Sequence, residues 1–155
     1  MIVLNKKKLI QIFITQFLLM ASMGAKAEDG ISLMYLEGDW MSGDYRCTSL
    51  HTEKISISIK NNQVKALKVD SGGDTCVPTN SNTFHGTLPT ELSFGRPMSV
   101  VVILGSPSRP ACCTGKGYLV MLDSDSFNIC SDRTCNSGGA DWVMRFSRTG
   151  VTPGL

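Results

Sequence analysis

Several sets of residues have types and spacings that chemistry could use. Asp70-Ser71-Gly72 has the Asp-Ser/Thr-Gly form of an acid-hydrolase loop, in which two carboxylates share one proton and a short chain must dimerise to supply both. The lysines Lys65 and Lys68 just before it, and the polar Gly73-Asp74-Thr75-Cys76 just after it, argue instead for a turn. There Asp70 caps its own backbone and Gly72 takes a positive φ. His51 and His85 are the only histidines, and neither stands in a His-x-x-His, Cys-His or nucleophile-elbow pattern. Both read as surface or strand-edge imidazoles. Asp123-Ser124-Asp125 opens like a calcium loop, but Phe127 and Cys130 occupy the stretch where further ligands are required, so a β-turn accounts for it. These patterns assign no catalytic residue, no metal and no other cofactor.

The six cysteines, Cys47, Cys76, Cys112, Cys113, Cys130 and Cys135, are an even number in a small chain, which predicts three disulfides. The last four could instead hold zinc as thiolates, but an adjacent pair is awkward for a tetrahedron whose paired ligands are usually two to four residues apart. An adjacent pair also rarely closes on itself, because the ring strains the intervening peptide. The expected pairing therefore joins Cys47 to Cys76 and sends Cys112 and Cys113 to Cys130 and Cys135.

Short strands must position these residues. Lys54-Ile55-Ser56-Ile57-Ser58-Ile59-Lys60 alternates strictly, Asn61-Asn62 makes a turn, and Gln63–Val69 alternates again, which together spell a hairpin. Further strands are expected at Gly43–Thr48, Thr83–Leu88, Met98–Leu104, Tyr118–Leu122, Ser126–Cys130 and Asp141–Ser147. Met98–Leu104 is almost continuously apolar and is expected to be buried on both faces or central. Gly- and Pro-containing joins separate them, at Ser71–Asp74, Gly95–Pro97, Gly105–Pro107 and Asn136–Gly139. Ile31–Leu36 could form one helical turn leading into Trp40. The fold class is therefore all-β: a single antiparallel barrel, or barrel-like sandwich, of about eight strands with disulfide bracing. Closure of such a barrel pairs its first and last strands, which would bring Trp40 and Tyr45 near Trp142 and Phe146, with Arg145 or Arg148 stacked on an indole.

Residues 1–27 read as a secretory leader: Lys6, Lys7 and Lys8, then an apolar stretch from Leu9 to Met20, then Ala25-Lys26-Ala27 with cleavage before Glu28. The apolar stretch is short for a membrane span, and no cysteine near its end marks a lipid anchor. The 155-residue chain carries a formal charge of +2, but loss of the four leader lysines leaves eleven basic against thirteen acidic residues, a charge of −2. A general basic surface for nucleic acid or anionic lipid is not indicated. The expectation is a secreted or periplasmic protein with a barrel domain over residues 28–148, a flexible tail over 149–155, and no membrane anchor after cleavage.

An ordered series of residues then carries a resemblance. Gly38-Asp39-Trp40 with Gly43-x-Tyr45, Ile55–Ile59, Lys65-Ala66-x-Lys68-Val69, Gly73-Asp74-x-x-Val77-Pro78 and Thr83-Phe84-x-Gly86 resemble the lipocalin-like β-barrel domain of F-box only protein 31 and the chloroplast EXECUTER proteins. The match runs from Gly38 to Leu88 in order; beyond it, Gly115-Lys116-Gly117 looks like the family's Gly-x-Gly segment. The six cysteines, Pro78-Thr79 and the lack of an F-box depart from the pattern. The resemblance implies a barrel able to accept a small group or a peptide end. Gly38-x-Trp40 and the late Trp and Arg residues are also similar to lipocalins and avidin-type barrels.

The expected function is non-enzymatic binding of a small molecule or peptide in the barrel mouth, near Gly72–Pro78 and Gly105–Pro110. Trp40, Tyr45, Phe84 and Trp142 would form the aromatic wall, and Arg46, Arg96 or Arg109 would anchor an anionic group. The alternative is an interaction or inhibitor protein that docks its loops on another protein, with Gly105–Cys113 as the tip. An aspartic-type hydrolase is the third reading.

Overall fold

The computed structural model describes residues 30–46, 49–135 and 142–148, and the side chains of residues 43–46 and 49–51 are not described. The predicted leader, Cys47, the Asn136–Gly139 join and the 149–155 tail lie outside the described residues.

The described chain forms β1 (Gly30–Ser32), a 3-10 turn (Leu33–Leu36), β2 (Gly38–Arg46), β3 (Ser49–Lys60), β4 (Gln63–Asp70), β5 (Asn82–Thr87), β6 (Glu91–Ser93), β7 (Met98–Ser106), β8 (Arg109–Met121), β9 (Ser126–Cys130) and β10 (Val143–Arg148). Eight of these strands close an antiparallel barrel in the order β10-β2-β3-β4-β5-β7-β8-β9, while β1 and β6 form a separate two-stranded piece. The fold is the expected all-β barrel, and the closed ladder excludes the sandwich.

The β3–β4 hairpin shows why these residues form strands. Ile55 and Ile57 are buried and Ile59 packs against the core, while Ser58 is exposed, as period-two alternation demands. At the turn, Asn61 and Asn62 take φ values of 51° and 62°, the left-handed pair that matches a hairpin's twist and that asparagine tolerates. The barrel interior is packed rather than hollow where it is described. Phe127 stacks on Phe146 at 4.6 Å between ring centroids and meets Trp40 edge-on at 4.8 Å, with Phe84 about 6 Å from both phenylalanines. Eight strands leave an interior just wide enough for side chains to fill.

The 3-10 turn plugs one end with Leu33 and Leu36. Closure occurs there as expected: Arg148 stands opposite Trp40 in the β10–β2 ladder, and its guanidinium lies 4.6 Å from the indole centre. Trp40 donates from Nε1 to the Leu36 carbonyl at 2.9 Å, and Arg148 donates to the carbonyls of Tyr35 and Glu37. Two further turns also follow expectation. Gly72 N–H donates to Asp70 Oδ1 at 2.9 Å with Gly72 at φ 56°, and Asp125 N–H donates to Asp123 Oδ1 at 2.7 Å.

Three expectations are corrected. In β7, Met98, Val100 and Val102 face inward, but Ser99 and Leu104 are exposed and Val101 and Ile103 only half-buried. The barrel has one interior, and among the described residues no second layer covers this stretch of its wall. Second, β8 begins at Arg109, so most of the stretch read as a loop up to Tyr118 is strand.

Third, Cys112 is bonded to Cys113, and Cys130 to Cys135. The register explains this. Cys130 stands opposite Tyr118 and Cys113 opposite Leu104, so the expected partners are separated by five residues along β8. That is about 17 Å at strand rise, well beyond the ~7 Å Cα separation a disulfide can bridge. Cys76 is also disulfide-bonded; its expected partner, Cys47, lies outside the described residues.

Candidate functional site

The outer wall formed by β4, β5, β7 and β8 carries a row of directly paired residues. Lys65 stands opposite His85, His85 opposite Val101, and Val101 opposite Lys116. All four face outward, and the two lysines and the imidazole are exposed. Neighbouring strands lie about 4.8 Å apart, so three basic groups are spread along one line across the wall. A groove of about 490 Å³ opens on the β7–β8 side, bordered by Ser99, Thr114 and Lys116, and one of about 390 Å³ on the β4 side, bordered by Gln63, Lys65, Asn82 and His85. Gly86 and Thr87 border both grooves, and among the described residues no carboxylate lines either. The basic character continues past Lys116. Its ammonium lies 5.1 Å from the Tyr118 ring centre and the Arg133 guanidinium 5.7 Å, and these two cations hold the Tyr118 hydroxyl below the ordinary phenol range.

Of the residues expected to bind ligand, the described aromatics belong to the core and the described arginines stand apart from each other. Trp40 and Phe84 are fully buried in the aromatic core, and Trp142 is a half-buried residue packed against it. Arg96 precedes β7 and Arg109 follows it, so the nine residues of that strand, about 30 Å, hold the two exposed guanidiniums apart. The side chains of Tyr45 and Arg46 lie outside the described ones. The two loops expected at the mouth do meet: Ala111 N–H donates to the Cys76 carbonyl at 2.8 Å, and Gly105 packs so closely on that carbonyl that a Cβ would overlap it.

Beneath the Cys76 loop lies a cluster that the motif search did not single out. Lys68, from β4, points into the barrel and is completely buried; its Nζ donates to Glu53 Oε1 at 2.5 Å and to Asp74 Oδ2 at 2.9 Å. Glu53 is equally buried and Asp74 nearly so. Asp74 Oδ1 also accepts the Cys76 N–H at 2.7 Å, and Oδ2 the Val77 N–H at 3.3 Å. Burial pushes the Asp74 carboxyl up, but the Lys68 ammonium and the Cys76 N–H outweigh it and hold the group below the ordinary aspartate value. The signal was present in the alternation. Glu53 continues the inward face of Ile55 and Ile57, and Lys68 that of Val64 and Ala66. Among the described residues, no three His, Cys, Asp or Glu side chains are grouped so as to hold a metal ion.

No protein-family model, curated protein or solved structure matches the chain.

Proposed function

We propose that this chain is an exported, non-enzymatic binding protein of lipocalin-like build that takes an anionic ligand on its outer wall, across β4, β5, β7 and β8. The observation that carries the reading is the line of Lys65, His85 and Lys116 beside two grooves that the described residues border with amides and hydroxyls and without a carboxylate. Cations fix the charge of such a ligand, and Gln63, Asn82, Thr87, Ser99 and Thr114 offer hydrogen bonds to its hydroxyls. An acidic oligosaccharide combines both needs. The packed interior favours the wall over the mouth. The Gly38-x-Trp40 segment, the 3-10 plug and the Arg148 clasp support the lipocalin-like part of the reading, and the bonded cysteines support an oxidising compartment.

Calorimetric titration of the folded protein with acidic oligosaccharides tests the site. Binding should weaken as salt rises, and Lys65→Ala/Lys116→Ala should weaken it about tenfold or more, on the scale of one or two lost charge-assisted contacts. No binding at low salt, or equal binding by the variant, overturns the assignment. Export has its own test: N-terminal sequencing of protein recovered outside the cytoplasm should begin at Glu28.

The exposed tip of the β7–β8 hairpin favours a second reading, docking on another protein. Pro107, Ser108, Arg109 and Pro110 are exposed there and the neighbouring Cys112–Cys113 bond stiffens the strand leaving the turn.

A further inference from the structure

From the contacts among Lys68, Asp74 and Glu53 we infer that this chain makes an internal amide cross-link between Lys68 Nζ and Asp74 Cγ, with Glu53 as the proton carrier. An amine, a carboxyl group and a second carboxyl group meet in a site from which water is excluded. In bulk water, amide formation between a lysine and an aspartate is disfavoured because both ions are well solvated and water is in excess. Burial reduces both obstacles without abolishing the ion pair. It raises the cost of the separated charges, which favours transfer of a proton from ammonium to carboxylate, and it holds the reactants in contact.

The ion pair is the resting arrangement, and the neutral pair formed by that proton transfer is the reacting one. The neutral Lys68 amine attacks Asp74 Cγ, forming the C–N bond. Glu53, whose Oε1 contacts the same Lys68 Nζ that Asp74 Oδ2 contacts, takes the proton lost by nitrogen. It passes that proton to Asp74 Oδ2, the oxygen on the lysine side, and the C–O bond breaks with release of one water. Oδ1 stays as the amide oxygen. It is the atom that accepts the Cys76 N–H at 2.7 Å, so a backbone donor is already aimed at the oxygen that carries charge in the tetrahedral intermediate. Nothing is oxidised or reduced and no co-reactant is consumed. A buried ion pair that is only structural has the same contacts but keeps all its atoms, so mass separates the two.

The test is intact-mass spectrometry of the folded full-length product as isolated, after reduction of its disulfides. The expected mass is one water below that of the sequence from the observed N-terminus, with the loss located by fragmentation to a branched peptide joining Lys68 to Asp74. Glu53→Gln and Lys68→Arg should show the full mass. Asp74→Asn should lose ammonia in place of water. A succinimide at Asp74 also loses one water, but it opens in hydroxylamine and leaves Lys68 unmodified, whereas the amide resists. Wild-type protein of full mass, or a water loss that hydroxylamine reverses, overturns the inference whether or not the variants fold.

Discussion

Removing the Lys68 side chain would take away both the cross-link and the ammonium that precedes it, leaving Glu53 and Asp74 facing each other in a buried site with no cation between them. Lys68→Ala should therefore cost about 3–5 kcal/mol in denaturant unfolding, the range for breaking a buried pair; a loss within the scatter of surface variants would mean that the cluster is solvated. A second residue-scale expectation concerns Asp132. Its carboxylate accepts the Thr134 hydroxyl and N–H, both at 2.6 Å, and the Cys135 N–H at 3.2 Å, and these bonds hold it below the ordinary aspartate value. A depressed carboxyl stabilises the fold at pH values above its unfolded pKa of about 3.9 and loses that contribution as pH falls through the lower folded value. Asp132→Asn should flatten acid unfolding in that window, measurable by amide exchange in the Ser131–Cys135 turn. The inward positions of Lys68 and Glu53 were legible from alternation alone. Their partnership was not, because Asp74 lies in the loop after β4, where no period applies and only the fold sets it against them.

At the scale of elements, Asn61-Asn62 is the most informative turn. Both residues hold left-handed φ, and glycine is freer than asparagine at the second position, so Asn62→Gly should stabilise the protein by up to about 1 kcal/mol in thermal or denaturant melts. Gly117 gives the opposite case. A Cβ there would stand 2.6 Å from a Val102 methyl and 2.9 Å from one of Ile129, so Gly117→Val should cost about 1–3 kcal/mol through overpacking. That glycine also explains why β8 was only partly legible. Pro110, two cysteines and two glycines lie in the strand, and each weakens the local signal. The barrel supplies what propensity withholds, since β7 provides partners for Cys113 through Leu119. The segments β1 and β6 have three residues each, too few for a period to appear.

Across the whole molecule, the two bonds between described cysteines tie residues only one and five positions apart. Such short rings restrict the unfolded chain far less than long ones. Cys112→Ser/Cys113→Ser should therefore keep the strand-type circular dichroism and shift Tm by only a few degrees; collapse of the spectrum would show that this bond carries the fold. Barrel closure was foreseeable from a Trp near one end of the domain and Arg residues near the other. The position of a binding surface was not, because Lys65, His85 and Lys116 come from three separate strands and only the ladder aligns them.

The seam between β2 and β10 has a temporal meaning. Arg148 reaches the Tyr35 carbonyl across 113 positions, and the strand that carries it follows every other described strand in the chain. Until that strand is made, β2 and β9 each lack a neighbour, and the indole of Trp40 has no guanidinium above it. The described ring of strands therefore stays open until synthesis has passed Arg148.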